Sequence, residues 1–154
     1  MHPDTKLAIV VAEFNENVTE KMLKQALKRI KELDAQTTYV CKAPGSYDIP
    51  LLAQTLIQKD DVDAVVALGA IVQGGTAHDE VIAHSLAEKL TCISLQFKKP
   101  VTLGVAGPRM SMKQAKTRAG DYANRSVEAA VKMVQNQRSL SVGVENPTYP
   151  VVIG

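Results

Sequence analysis

The chain has 154 residues, of which 45% are hydrophobic and 22% are charged, and its formal net charge is +2. This length favours one domain, long enough to bury roughly two thirds of the surface of the unfolded chain. The basic residues are spread out, which excludes the clustered basic stripe of a nucleic-acid-binding protein. No apolar segment approaches the ~20 residues needed to cross a bilayer, and the segment MHPDTKLAIV lacks the charged leader of a secretory signal. We therefore expect a cytoplasmic protein with no membrane and no nucleic-acid partner.

The two cysteines, Cys41 and Cys92, lie in separate strand-like runs, TTYVCKA and TCISLQF. They have neither CxxC spacing nor a neighbouring cluster of His and Cys, so they predict no disulfide framework and no metal site. Free cysteines are commonly core residues, and we expect both to be buried, unreactive thiols.

The first half of the chain predicts two strand–helix units. The apolar run of residues 6–13 predicts a strand, and Asn17 is the expected N-cap of the next helix, with Glu20 completing a capping box. Residues 37–43 predict a second strand, after which Asp48 begins a second helix. The apolar positions with helical spacing in these two helices are Val18, Met22, Ala26, Ile30 and Leu33, then Ile49, Leu52, Ala53, Leu56 and Ile57.

The second half is organised around the stretch DAVVALGAIVQGGTAHDEVIAHSLAEKL. Its β-branched run, residues 64–72, predicts a strand buried on both faces. A helix with Val81, Ile82, Ser85, Leu86 and Leu90 on one side follows and is expected to end near Leu90. Residues 91–97 and 101–106 predict two further strands. Ser111 is the expected cap of a long final helix, which contains Gly120 and loses its periodicity at Ser139, so that residues 1–138 form one domain and residues 139–154 a tail.

Alternating strands and helices predict a parallel sheet, and right-handed crossovers with both faces covered predict a three-layer α/β/α sandwich. In such sheets ligands bind at the carboxyl ends of the strands. Residues 14–15, residues 45–48, residues 74–78 and the region of Leu103 all fall at predicted strand ends. We therefore expect four loops to meet on one rim.

Several residues on this rim have two possible interpretations, one functional and one purely structural. Gly74, Gly75 and Thr76 are either a simple strand-to-helix turn or a cradle of backbone N–H groups for an anion, although they lack the spacing of a P-loop. His78 is either a surface histidine or a proton carrier near a helix N-terminus, where its neutral form is favoured.

The remaining candidates carry the same two interpretations. Phe14 either plugs the core or offers a ring for stacking. Arg118 and Arg125 are either solvated charges or partners for a phosphate. Residues 45–48 are either a turn with an N-cap or a set of groups for a polyhydroxyl ligand. His84, six residues beyond His78, is expected to be structural.

Five segments in order along the chain resemble the 6,7-dimethyl-8-ribityllumazine synthase family: AEFNENVTEKML, APGSYDIPLLA, VDAVVALGAIVQGGTAHDEV, KPVTLGVAGP and QAKTRAGDYANRSVEAA. The resemblance runs from about Lys6 to Val134, is closest to the archaeal branch, and includes the family's Gly-x-Thr-x-His signature at residues 74–78. It implies a flavodoxin-like sandwich and a condensation in riboflavin biosynthesis. The implied substrates are 5-amino-6-(D-ribitylamino)uracil and L-3,4-dihydroxy-2-butanone 4-phosphate, with no metal or redox cofactor.

The resemblance also implies residue roles. Phe14 should stack on the pyrimidine ring, the backbone of residues 70–72 should meet the heterocycle, and residues 46–48 should meet the ribityl chain. His78 should move protons. The implied substrate-binding residues are Phe14, Ser46, Tyr47, Asp48, Ala70, Ile71, Val72 and Leu103, and the implied phosphate-binding residues are Gly75, Thr76 and Arg118.

Three departures from the family pattern are visible. Most relatives carry Glu in place of Asp48 and Phe in place of Leu103, which shortens one side chain and removes an aromatic wall. Between Arg118 and Glu128 the chain is about one residue shorter than the common bacterial pattern, so the assignment of Arg125 stays open.

The resemblance implies homo-oligomers. Members of the family form pentamers, and some close twelve pentamers into an icosahedral shell. The sequence does not choose between the two assemblies, although the absence of an insertion near Gly120 leans slightly toward the shell. The site lies between subunits, so Leu103 and Arg118 are expected to reach a site whose Phe14 and His78 belong to another chain. Two other functions stay open: a non-catalytic flavin or lumazine binder, and an archaeal-type riboflavin synthase. His78 speaks against the first, and Thr76 with Arg118 against the second.

Overall fold

The structure, a computed structural model, describes residues 2–154, and its centre is a parallel sheet of four strands. The strands are β1 (Lys6–Ala12), β2 (Gln36–Ala43), β3 (Ala64–Ala70) and β4 (Val101–Ala106). They lie in the order β2-β1-β3-β4. Leu7 of β1 is the partner of Ala64 in β3, and Val65 of β3 is the partner of Val101 in β4. This is the predicted α/β architecture, with a strand order found in flavodoxin-like folds.

Helices cover both faces of the sheet. They are α1 (Glu16–Glu32), α2 (Ile49–Ile57), α3 (His78–Phe97) and α4 (Met112–Val142), and a short 3-10 turn, Ser46–Asp48, precedes α2. Helices α1 and α4 pack on one face, and α2 and α3 pack on the other. The predicted three-layer sandwich is therefore confirmed.

The sheet has a hydrophobic core on each face, and successive side chains of β1 point alternately into one core and the other. Leu7 and Ile9 point into the layer of α1 and α4, whereas Ala8 and Val10 point into the layer of α2 and α3. All four side chains are fully buried. Because each large aliphatic side chain contributes about 1.5–3 kcal/mol when fully buried, this two-sided burial fixes the strand and the loop that follows it.

The strand predicted at residues 91–97 is wrong, because α3 continues without a break to Phe97. Leu86, Leu90 and Ile93 keep the helical spacing and are buried against the sheet. The helix ends where Lys98 adopts a left-handed conformation, with φ 52. Val81, predicted on the apolar side of this helix, is 66% exposed.

Two predicted helix boundaries also need correction. Helix α1 begins at Glu16 after Asn15, not after Asn17, and Asn15 is left-handed (φ 62, ψ 48) with no side-chain cap. Helix α4 runs through Gly120 and ends at Val142, three residues beyond the predicted loss of periodicity. Its predicted cap is confirmed, since Ser111 and Gln114 form a reciprocal capping box. Residues 143–154 form no helix or strand.

The prediction of two buried thiols is wrong for Cys92, which is exposed on α3, while Cys41 is partly buried on β2. Residue 92 faces solvent because the segment around it is an amphipathic helix and not a buried strand. No helix within residues 2–154 is long and apolar enough to span a membrane.

Candidate functional site

An open pocket of about 360 Å³ lies at the carboxyl ends of β1 and β3. These strands are neighbours in the sheet but not in the chain, so the strand order reverses between them. In open α/β sheets this reversal is the usual place for a ligand. The loops after β1, β2 and β3 meet here, as predicted, but the fourth expected member is wrong, because Leu103 lies within β4 and not at a strand end. The pocket is lined by Phe14, Asn15, Gly45, Ser46, Tyr47, Ala70, Ile71, Val72, His78, Asp79, Ile82 and Met112.

Phe14 presents its ring at the rim of the pocket. The side chain is 70% exposed, so it does not plug the core. Its backbone is held to the end of β2, because the Phe14 N–H donates to the carbonyl oxygen of Pro44 at 3.0 Å. Next to it, the Asn15 Nδ2 donates to the carbonyl oxygen of Ala70 at 2.8 Å. The aromatic ring therefore stands on a backbone that is tied to both neighbouring strands.

The 3-10 turn after β2 supplies a second wall. Ser46 is only 8% exposed, and its Oγ would lie 2.5 Å from a β-carbon placed on Gly69, so only glycine fits beside it on β3. Tyr47 lines the pocket and is exposed. Asp48 does not line the pocket, and its Oδ2 instead accepts from the Gly45 N–H at 3.0 Å. One carboxylate oxygen of Asp48 thus closes the turn that presents Ser46 and Tyr47.

The chain beyond β3 forms a fixed floor. The Ile71 N–H donates to the Ala106 carbonyl oxygen at 2.7 Å, and the Gln73 N–H donates to the Met110 carbonyl oxygen at 2.8 Å. Gly107, with φ +107, passes so close that a β-carbon there would overlap the Ile71 carbonyl oxygen. The loop after β4 therefore supports the backbone at the bottom of the pocket.

Residues 74–78, which we call the open segment, follow this floor and are exposed. A β-carbon at Gly74 or Gly75 would meet nothing within 4 Å, and Thr76 is exposed. The Thr76 Oγ1 accepts from the His78 N–H at 3.4 Å. His78 is the first residue of α3, lines the pocket and is exposed. Since the first N–H groups of a helix have no partners inside it, this corner offers hydrogen-bond donors and an imidazole side by side.

Two acidic residues in the first turn of α3 contact the loop after β4. Asp79 is 5% exposed, and its Oδ2 accepts from the Arg109 N–H at 2.9 Å. Glu80 Oε1 pairs with Arg109 Nε at 2.6 Å. This hydrogen bond to Glu80 is the main cause that raises the pKa of the Arg109 guanidinium.

Five predicted residues lie outside this chain's own pocket, and Asp48, described above, is one of them. Gly75 and Thr76 belong to the open segment at its edge, whereas Leu103 is 48% exposed on β4 and Arg118 is exposed on α4. Arg125 and His84 are also exposed and away from it. No Lys or Arg side chain within residues 2–154 lines the pocket, and no group of three or more His, Cys, Asp or Glu side chains there is placed to hold a metal ion.

Sequence reasoning missed three lining residues, Asp79, Ile82 and Met112, and it placed Asn15 and Gly45 on the rim without giving them a role. Asn15 carries a usable signal, since Asn is among the few residues that adopt the left-handed conformation readily, and it follows a strand directly. Asp79 stands next to His78 in a first helical turn, where acids are favoured. Ile82 and Met112 are apolar residues near helix starts, and nothing in the sequence separates them from core residues.

A parallel sheet in this order, with a pocket at the reversal between β1 and β3, defines the class: a flavodoxin-like α/β protein with a small-molecule site. Comparison with known proteins identifies the family within this class. Residues 4–138 match the family described as 6,7-dimethyl-8-ribityllumazine synthase, and the chain belongs to this family.

Proteins carrying that same name are similar over most of their length. The one from Pyrobaculum arsenaticum is 51% identical over 135 residues, which cover 88% of this chain and 90% of the relative. The one from Metallosphaera sedula is 47% identical over 138 residues, covering 90% and 91%. One from a strain of Saccharolobus islandicus is 47% identical over 135 residues, covering 88% of each. The resemblance inferred from the five sequence segments is confirmed.

Proposed function

We propose that this chain is a transferase of riboflavin biosynthesis that condenses 5-amino-6-(D-ribitylamino)uracil with L-3,4-dihydroxy-2-butanone 4-phosphate to 6,7-dimethyl-8-ribityllumazine. Family membership supports the reaction. The observation that carries the assignment to this site is that Phe14 and His78 line one pocket between β1 and β3. An aromatic platform and a proton carrier are what a condensation on a pyrimidine ring requires.

The reaction proceeds through an imine between the 5-amino group and the ketone, which releases water. Loss of the proton at C3 of the butanone expels phosphate from C4 and leaves an enol, which tautomerises to a ketone at C3. Attack of the ribityl-bearing nitrogen on this new carbonyl closes the ring with loss of a second water. Each step moves a proton on or off nitrogen or oxygen. His78 is our candidate for these transfers, because an imidazole can both accept and donate a proton and His78 lines the pocket.

The pyrimidine subsite is built from the loops that follow β1, β2 and β3. Phe14 stacks on the ring, and the backbone groups of residues 70–72 meet its polar edge. The hydroxyl groups of Ser46 and Tyr47 face the ribityl chain. Asp48 uses one oxygen to close its own turn, which leaves the other for a ribityl hydroxyl. Much of the rate would come from holding two reactants together, an effect worth several kcal/mol in favourable cases.

The phosphate subsite needs a second chain. Gly75 and Thr76 offer the donors of the open segment, but no Lys or Arg side chain of the described residues lines the pocket. Arg118, exposed on α4, supplies the missing charge from a neighbouring copy, and Leu103 on β4 closes the pyrimidine side in the same way. A guanidinium that grips phosphate in two-pronged fashion fits this role.

The proposed assembly is a homopentamer, with a shell of twelve pentamers as the larger alternative. Its support is the apolar surface of one chain: Val81 and Leu95 on α3 are exposed, as is Leu103 on the outer strand of the sheet. Large exposed apolar groups mark interfaces more often than free surface. Light scattering of the purified protein separates the pentamer from the shell, and a monomer would contradict both.

The proposed location is the cytoplasm. Both cysteines are free thiols, which suits a reducing compartment. Fractionation of cells that express the full chain tests this location.

The test of the reaction uses the purified protein and both substrates. Lumazine absorbance and fluorescence should rise faster than in the uncatalysed mixture at neutral pH. A rate equal to the background, with binding of the pyrimidine retained, would instead indicate a non-catalytic binder. Incubation with lumazine alone is the control for a riboflavin synthase, which would produce riboflavin from it.

A further inference from the structure

We infer that Asp79 is a positioning residue for the condensation: its buried carboxylate fixes the loop after β4 against the first turn of α3, and so fixes the segment that presents Thr76 and His78. This inference rests on the proposed function. Its central observation is the hydrogen bond of 2.9 Å from the Arg109 N–H to the Asp79 Oδ2, made by a side chain that is almost fully buried.

The loop at residues 107–110 holds the pocket floor at one end and α3 at the other. At the first end, the Met110 carbonyl oxygen accepts from the Gln73 N–H at 2.8 Å. At the second end, Asp79 binds the backbone of Arg109. Residues 73 and 79 are thus anchored to the same short loop, and the open segment, residues 74–78, lies between them.

That intervening segment has little support of its own. No described atom lies within 4 Å of a β-carbon built at Gly74 or Gly75, and the contact from the His78 N–H to Thr76 Oγ1 is long at 3.4 Å. The position of the segment therefore depends on its two ends. Losing the Asp79 anchor frees one of them.

Asp79 and Glu80 make different contributions to this anchor. The pair between Glu80 and the Arg109 side chain is exposed on both sides, and exposed ion pairs contribute little. The Asp79 bond is buried and reaches the backbone itself, and Arg109 is held in a left-handed conformation with φ 56. The backbone bond is therefore the one that sets the position of the loop.

Steady-state kinetics with both substrates test this role. Asp79→Ala is expected to lower kcat by about 10- to 100-fold, the usual effect of a displacement near 1 Å. It should raise the KM for the phosphate substrate, while the KM for the pyrimidine stays within about twofold, since Phe14 and Ser46 do not depend on this anchor. Asp79→Asn keeps an acceptor oxygen and should recover activity to within about threefold of wild type. Glu80→Gln is the matched control and should behave as wild type.

Three results would overturn the inference. One is an unchanged kcat in Asp79→Ala. Another is equal damage in Asp79→Asn and Asp79→Ala, which would mean that the charge itself acts on substrate. The third is a parallel rise in both KM values, the mark of general loosening. If Asp79→Ala does not fold, Asp79→Glu displaces the same charge by one methylene, and an unchanged kcat there also overturns the inference. Wild-type protein that forms no lumazine would refute the proposed function instead.

Discussion

The side-chain amide of Asn15 donates a 2.8 Å hydrogen bond to the carbonyl oxygen of Ala70, and this bond joins the ends of the two strands between which the pocket opens. Asn15 is left-handed, with φ 62 and ψ 48. The residue therefore has two functions that substitutions can separate: its side chain bridges β1 and β3, and its backbone turns the chain from β1 into α1.

Substitution of Asn15 should lower stability in two steps. Asn15→Gly removes the bridge but keeps the left-handed turn, and should cost about 1 kcal/mol of unfolding free energy. Asn15→Ala removes the bridge and adds the left-handed penalty for a β-carbon, roughly 1–2 kcal/mol more. Urea denaturation measures both variants. An alanine variant as stable as the glycine variant would show that the turn carries no strain.

Substitution of Gly69 should disturb the wall of the pocket that Ser46 forms. The new β-carbon of Gly69→Ala would lie 2.5 Å from Ser46 Oγ, so we expect a loss of about 1–3 kcal/mol and a higher KM for the pyrimidine. Adding Ser46→Ala in the same chain should recover part of the stability. Gly74→Ala is the matched control: it meets nothing within 4 Å and should stay within about 0.5 kcal/mol of wild type. Equal stability of the Gly69 and Gly74 variants would contradict the close packing.

Loss of the imidazole at position 78 should slow the reaction without preventing binding. His78→Gln keeps a polar side chain of similar size but cannot exchange a proton, and we expect kcat to fall about 10- to 100-fold, because orientation of the substrates persists. The matched control is His84→Gln, an exposed histidine on the same helix outside the pocket. A His78 variant with wild-type kcat and intact binding would remove the proton-transfer role.

Loss of Arg118 should affect one substrate far more than the other. We expect Arg118→Ala to raise the KM for the phosphate substrate at least about tenfold, the cost of one charge-assisted contact, and to leave the KM for the pyrimidine nearly unchanged. Lys116→Ala, an exposed cation nearby on α4, is the control. Equal changes for both substrates would remove the phosphate role.

The same variant tests whether the site is shared between chains. Co-refolding Arg118→Ala chains with His78→Gln chains should recover activity, because some pockets would then combine an intact His78 with an intact Arg118. Absence of recovery in mixed oligomers, confirmed by a tag on each chain, would argue for a site within one chain.

The hydrogen bond between Tyr39 Oη and Asp61 Oδ2, at 2.7 Å, predicts a pH-dependent contribution to stability. This bond, and then partial desolvation, raises the pKa of the Tyr39 phenol. A raised pKa means that the stabilisation is fully present below the unfolded value, about 10, and is lost as the pH rises through the folded value. The difference in unfolding free energy between wild type and Tyr39→Phe should therefore be constant from about pH 7 to pH 9 and shrink above about pH 10. A difference that grows above pH 10 would contradict this sign.

The strands were predictable wherever a run is apolar on both faces. Leu7 and Ala8 of β1 point into opposite cores, and this two-sided burial leaves a continuous apolar signal in the sequence. A strand was wrongly predicted at residues 91–97 because Thr91, Ile93 and Phe97 are residue types that favour strands. Burial of Ile93 in line with Leu90 outweighed that preference, since tertiary packing overrides local propensity.

The site was predictable in its location but not in its supports. Ser46 and His78 could be assigned to the rim because each follows or precedes a recognisable element at a strand end. Asn15 and Asp79 act through hydrogen bonds to the backbone of Ala70 and Arg109, which are 55 and 30 residues away. Any residue has a backbone carbonyl or N–H, so no sequence pattern identifies such a partner.

Because β1 and β3 are adjacent in the sheet but separated in the chain, the pocket forms only when two distant parts of the chain fold together. Phe14 lies before the turn at 59–61, whereas His78 and Met112 lie after it, so each half of the chain holds only part of the pocket lining. The lining is therefore complete only when both halves are folded together. Cutting the turn at 59–61 would create two inert fragments, and their reassembly would be visible as the return of lumazine fluorescence.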